Sequence, residues 1–241
     1  MYRKIFVLTV LLAPFGLSGC VYDRQSSFSD ETFVSEERAI GEFNALELDG
    51  NYIVKLENSD SCMFEISGNE EMKSLVITQV VDGVLKINVM DRGNWKDNPP
   101  VELTIKAPTL RRISVIASAK FYSEKPFVFE ELYIESAGAL KMDMVLKGDR
   151  LEGKLAGATD LNLRGEVKEV DLNMPGAGKI SAFDLFAEDL SLNLSGAGKA
   201  EVFASEKLNV DLSGACTVNY KGKPAEVYTN ISGLGRVKEA N

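Results

Sequence analysis

Beyond residue 110 the chain alternates apolar and polar positions with period two, and turns of small residues interrupt the alternation at nearly constant spacing. The turns are Ala117-Ser118-Ala119, Ala137-Gly138-Ala139, Ala156-Gly157-Ala158, Pro175-Gly176-Ala177, Ser195-Gly196-Ala197, Ser213-Gly214-Ala215 and Ser232-Gly233-Leu234. Their centres fall at 118, 138, 157, 176, 196, 214 and 233, so the spacings are 20, 19, 19, 20, 18 and 19. Six residues before the centre stand Leu132, Leu151, Val170, Leu190, Leu208 and Val227; two before it stand Leu155, Met174, Leu194, Leu212 and Ile231. After the turn, Met142, Leu161, Ile180, Val218 and Val237 occupy the fourth place, and Met144, Leu163, Val202 and Tyr220 the sixth. Period two on both arms of a turn predicts two short strands per repeat, each with one face inward. No 3.6-residue stripe fits these rows, so helices are not expected there.

A repeat of about 19 residues cannot bury its own inner face, so successive repeats must stack. In-register stacking of equivalent strands makes parallel sheets at about 4.8 Å per coil. The expected fold is all-β, a right-handed parallel β-helix, right-handed because parallel crossovers almost always are. The uneven spacing breaks the strict hexapeptide rhythm of a left-handed helix. A sandwich of antiparallel hairpins is the alternative. Alanine beside the turn is expected on the inside of a sharp corner, where only a methyl fits. Gly138, Gly157, Gly176, Gly196, Gly214 and Gly233 are expected to supply the backbone freedom of that corner.

Upstream the alternation is looser. Phe43 to Gly50, Tyr52 to Leu56, Phe64 to Gly68, Leu75 to Val80, Val84 to Val89 and Val101 to Ile105 read as strands of wider initial coils that cap the solenoid. Asp91 to Pro100 is the one conspicuous loop. Phe121, Tyr122, Phe127 and Phe129 are expected to fill or cap the core.

The N-terminus has a different character. Arg3 and Lys4 precede an apolar stretch from Ile5 to Phe15 broken only by Thr9, too short to span a bilayer. It ends in Leu17-Ser18-Gly19-Cys20, which resembles the lipobox of a bacterial lipoprotein and implies cleavage before Cys20 and acylation of its sulfur. An ordinary secretory signal ending by chance in cysteine is the alternative. Several acyl chains on one residue give stable membrane anchoring. Val21 follows the cysteine, not the aspartate of inner-membrane retention, which points to the outer membrane; periplasmic and surface exposure both stay open. Residues 1–19 are therefore expected to be a signal peptide, 20–41 a lipidated cysteine with a polar, acidic spacer, and 42–241 a single β-helical domain.

Charge narrows the function classes. The chain carries 27 basic and 36 acidic residues, a net −9. Removing the signal leaves 25 basic against 36 acidic, near −11, because Arg3 and Lys4 are its only charges. Such a chain is not expected to bind nucleic acid through bulk charge. There is no histidine, which removes histidine-based triads, His-rich zinc sites and the commonest general base.

Taken together, Phe43-Asn44-Ala45-Leu46-Glu47-Leu48 before a glycine turn, Asp82-Gly83-Val84-Leu85-Lys86-Ile87, and the Ser-Gly turns at 195–198 and 232–235 resemble the DUF2807, or GIN-domain, proteins common in Bacteroidetes and described as auto-transporter adhesin heads. The resemblance covers Phe43 to Asn241. It implies a right-handed β-helix on an exported protein and brings with it no catalytic residue.

Candidate chemistry is sparse. Ser195 to Lys199 lacks the residue order of a phosphate loop and recurs as a corner. Asp160 follows one turn, but Lys179, Lys199 and Arg236 hold the matching place elsewhere, which disfavours calcium. No metal or cofactor is expected. Three positions before the centre lie Glu135, Lys154, Asn173, Asn193, Asp211 and Asn230, an outward polar ladder: either a solvated face or a flat surface for a glycan or protein partner. Trp95, with Arg92, Asn94 and Lys96, could stack on a sugar or fold back as a cap. Cys62 and Cys216 are separated by some eight coils, roughly 30 Å or more at the sheet spacing, too far for a disulfide, so both are expected to be unpaired and buried. The expected function is a lipid-anchored, non-catalytic interaction or adhesion module of the cell envelope. The alternatives are a structural or signalling component with one dedicated protein partner, and a carbohydrate-active β-helix enzyme.

Overall fold

The computed structural model describes residues 34–90 and 100–240. The expected export segment, Cys20, the first part of the expected spacer, and Arg92, Asn94, Trp95 and Lys96 of the expected loop lie outside them. The N-terminal part contains β1 (Val34–Glu37), β2 (Ala45–Asp49), β3 (Asn51–Asn58), β4 (Met63–Gly68), α1 (Glu70–Leu75), β5 (Val76–Val81), β6 (Val84–Val89) and β7 (Val101–Ala107). The repeats follow as β8 (Arg112–Val115), β9 (Ser118–Tyr122), β10 (Phe127–Ser136), β11 (Ala139–Leu155), β12 (Ala158–Met174) and β13 (Ala177–Leu194). The last coils are β14 (Ala197–Phe203), β15 (Lys207–Leu212), β16 (Ala215–Lys221), β17 (Glu226–Ile231) and β18 (Arg236–Glu239).

The chain is a parallel β-solenoid of about 7 turns, spaced about 19 residues apart. Registers make the stacking explicit: Leu132 faces Leu151, Leu151 faces Val170, Val170 faces Leu190 and Leu190 faces Leu208. This column of inward side chains is thus one continuous apolar stack, and these residues are buried. In the central coils the two predicted strands are fused: β11, β12 and β13 each run 17 or 18 residues around the far corner without a break. Gly165 makes that bend possible in β12, with φ +111 and a β-carbon position that would overlap the carbonyl oxygen of Leu146. The 20-residue repeat is absorbed as a bulge: Asn162 faces Ser181, but Arg164 faces Asp184.

Three expectations about the corners are corrected. Ala139, Ala158, Ala177, Ala197 and Ala215 are exposed, so these alanines line the outside of the corner. Most of the glycines serve close approach instead of unusual dihedrals. A β-carbon on Gly138, Gly157, Gly176, Gly196 or Gly214 would collide with the carbonyl oxygen of the corner residue one coil earlier, and among the corner glycines only Gly233 has positive φ, at +134. The first row is also offset by one. Ala139 faces Ser118, which sets Ala117 beneath Gly138, and Ala119 is buried in the core.

The N-terminal coils do not stack in chain order. β2 pairs in parallel with both β6 and β8, and β3 with both β7 and β9. The first coil of the sequence is therefore sandwiched between the one that ends in β7 and the one that begins with β8. Beyond it lies an antiparallel cap, with β1 on β4, β4 on β7 and β5 on β6. The cap includes a helix and a strand that the sequence pattern does not predict. Asn69 caps α1 by accepting a 2.8 Å bond from the Glu71 amide, with Glu70 and Glu71 in the first turn and Lys73 in the last. β1 lies inside the expected spacer. Arg38 ties this end of the spacer down, donating to the carbonyls of Val76 at 2.7 Å and Lys73 at 3.0 Å.

Candidate interaction surface

The six residues of the predicted ladder form one column. Glu135 faces Lys154, then Asn173, Asn193, Asp211 and Asn230 in successive coils. Its rungs touch in places: Arg112 Nη2 lies 2.6 Å from Glu135 Oε2, Asn230 Nδ2 donates to Asp211 Oδ1 at 2.9 Å, and Lys154 stands over the Tyr133 ring. Two parallel columns complete this face. One runs Tyr133, Glu152, Asp171, Ser191, Asn209, Tyr228, and the other Glu131, Arg150, Glu169, Asp189, Lys207, Glu226. Over these three columns eight carboxylates outnumber three cations, so the face is acidic. Arg150 is clasped by Glu152 and Glu169, which raise its pKa further and fix its guanidinium between two coils.

Around the glycine corner the sign reverses. Lys120, Lys141, Asp160, Lys179, Lys199, Thr217 and Arg236 form the first polar column of the next face. Five cations meet one carboxylate. Lys141 Nζ is 3.1 Å from Asp160, and Lys199 Nζ is 2.5 Å from Glu201; Lys120, Lys179 and Arg236 have no ion-pair partner among the described residues. Between this column and the corner runs the stripe of exposed alanines, and the two together bound a shallow groove of about 620 Å³. The turn alignment already held this column, because the residues three after each centre are mostly basic; weighing them only against calcium hid their common sign.

A third feature has no signal in the repeat pattern. A cleft of about 950 Å³ opens where Pro108, Thr109 and Arg111 cross from one side of the interleaved coil to the other, and it is walled by Glu130, Lys147 and Glu166. Asn58 braces it. Its side-chain amide donates to the carbonyls of Pro108 and Val128, at 3.3 and 3.0 Å, and its oxygen accepts from the Val128 amide at 2.6 Å. The Phe129 ring forms the floor, lying where a β-carbon on Gly148 would stand. On the rim, Lys168 Nζ is 2.6 Å from Asp149 Oδ1, and that carboxylate raises the lysine's pKa.

Cys62 and Cys216 are both free thiols. Burial pushes both pKa values up, which makes them poor nucleophiles. Cys216 is buried as expected, whereas Cys62 is only half-buried. Among the described residues no group of three or more cysteines, aspartates or glutamates gathers in a way that could hold a metal ion. No helix among them is long and apolar enough to cross a membrane.

Comparison with known proteins agrees with this architecture. The family profile of DUF2807, "Putative auto-transporter adhesin, head GIN domain", matches residues 42–224. A crystal structure of a putative adhesin from Bacteroides fragilis superposes with a TM-score of 0.78 at 24% identity, covering 87% of this chain and 98% of the other. A putative adhesin from Parabacteroides merdae gives 0.65 at 23% identity, over 88% and 98%. A putative lipid binding protein from Parabacteroides distasonis gives 0.65 at 21%, over 88% and 98%. At these identities the likeness concerns the fold. No curated protein matches the chain.

Proposed function

The chain belongs to the DUF2807 family of auto-transporter adhesin head GIN domains, and from that premise we propose that it is a lipid-anchored adhesion module of the cell envelope that acts by binding and not by catalysis. One observation carries the reading. The polar side chains of the described solenoid are laid out as columns repeated coil after coil, with three acidic columns on one face and a basic column just around the glycine corner. Such a layout presents extended surfaces, as solenoids generally do, and suits a glycan or a protein partner better than a small substrate. Cys20 supplies the anchor after removal of residues 1–19, and the polar segment behind it spaces the domain from an outer membrane. Two experiments test this. Cys20→Ala should move the protein from the membrane fraction to the soluble one and abolish incorporation of labelled palmitate. Cells displaying the intact protein should adhere to a glycan or protein surface to which the deletion strain does not; equal adherence of the two strains rejects the adhesion reading.

A second reading has one observation in its favour. The 950 Å³ cleft gathers Glu130, Glu131, Asp149 and Glu166, and paired carboxylates are the equipment of glycoside hydrolysis. New reducing ends after incubation with polysaccharides would establish that activity and displace the adhesion reading.

A further inference from the structure

The groove beside the glycine corner has a floor of methyl groups and a wall of ammonium groups. Ala139, Ala158 and Ala177 line it beside Lys120, Lys141 and Lys179, with Asp160, paired to Lys141, the one carboxylate in that wall. We propose that this groove binds a linear anionic polysaccharide running along the solenoid axis; the proposal rests on the adhesion reading and names its ligand. The register is the first argument. Residues of one column are ladder partners, so cationic heads recur at multiples of the coil rise, about 4.8 Å, which is close to the advance of one sugar in an extended chain. A polymer with one carboxylate per sugar keeps step with such a wall.

Charge is the second argument. The protein is −9 overall and its neighbouring face is acidic, yet this column sets five cations against one carboxylate, Asp160, and that local excess creates a positive field. Lys120 and Lys179 hold no ion pair among the described residues and keep their charge available. The floor is the third. Alanine methyls leave a smooth strip on which the apolar C–H edge of a sugar can lie, while the lysines reach its carboxylates. Other polyanions fit less well. Single-stranded nucleic acid needs exposed aromatic platforms, and the one aromatic residue lining the groove, Tyr52, is buried. An anionic membrane needs protruding apolar side chains to insert, which alanines are not.

Affinity electrophoresis of the intact chain in gels containing polygalacturonate, dextran or no polymer provides the test. Retardation by polygalacturonate alone is expected, weakening as salt rises. Lys120→Glu with Lys179→Glu should weaken binding at least tenfold. Ala158→Phe, which fills the floor without changing charge, should do the same. Lys125→Glu, at an exposed lysine outside the groove, should change it less than twofold; circular dichroism and thermal melts confirm that each variant folds. Equal retardation by dextran, binding retained in either groove variant, or equally tight binding of single-stranded DNA or anionic vesicles overturns the proposal. No retardation of the intact chain by polygalacturonate while displaying cells still adhere better than the deletion strain rejects the groove alone; no retardation together with equal adherence of the two strains rejects adhesion as well.

Discussion

At the scale of single residues, the corner glycines Gly138, Gly157, Gly176, Gly196 and Gly214 are among the least replaceable of the described positions. Gly157 lies under the carbonyl oxygen of Gly138, and Gly176 under that of Gly157, so one added methyl meets backbone that the neighbouring coil holds in place. Gly157→Ala should destabilise the domain by roughly 3 kcal/mol or more in urea unfolding, while Ala158→Ser next to it, exposed to solvent, should shift stability by less than about 0.5 kcal/mol. Cys216 makes a second case. Its thiol is buried and sits 3.4 Å from the carbonyl of Gly196. Iodoacetamide should leave it unlabelled in the native protein and label it fully on unfolding, as read by peptide mass spectrometry. The inward columns were legible from the alternation alone, because burial of one face is what period two encodes. The outward turn of Ala139, Ala158 and their equivalents was not, since a glycine corner resets the phase and small residues are acceptable on either side of it. The one-residue offset of the first row escaped for the same reason: Ala117, Ser118 and Ala119 are all small enough to pass as a corner.

At the scale of elements, local pattern and distant partners divide the credit. The stacked coils follow from repetition and could be read without coordinates. The cap could not, because it depends on contacts across long stretches of chain. Lys73 on α1 is buried and lies 3.1 Å from Glu70 and 3.8 Å from Glu36, a residue 37 positions upstream. The capping signature Asn69-Glu70-Glu71 was available, but six residues are too few for a periodic stripe to register. A charge cluster on β3 and β7 gives this region a pH signature. Lys55, at 3.0 Å, and Lys106, at 3.2 Å, hold the Glu57 carboxyl below the ordinary carboxylate range. A depressed folded-state pKa contributes stability that is complete above the unfolded value, about 4.3, and disappears as pH falls through the folded one. Glu57→Gln should therefore lower the urea midpoint at pH 7 by the equivalent of about 1 kcal/mol or less, and the gap to the parent should close on acidification. Asn58, next in sequence, joins three segments through one side chain. Asn58→Ala should cost about 1–2 kcal/mol in the same assay and loosen the cleft, read as faster amide exchange at Val128.

At the scale of the whole molecule, the two ends differ. The N-terminal end is closed by an antiparallel cap, whereas the last coil leaves Val227, Ile231 and Leu234 exposed at 42%, 43% and 89%. Among the described residues β17 and β18 are each paired on one side only, with β15 and β16, beside apolar side chains, the arrangement that invites edge-to-edge pairing. Concentration-dependent association in analytical ultracentrifugation is expected, and Ile231→Lys should suppress it. The interleaving of the first coil has a mechanical meaning. Tension that has passed β1, bonded to β4 alone, loads β2 and β3 while each is bonded to a neighbour on both sides, so many bonds must yield together where an outermost coil would unzip one rung at a time. An attachment protein pulled from that side holds its grip in the part of the molecule least able to peel.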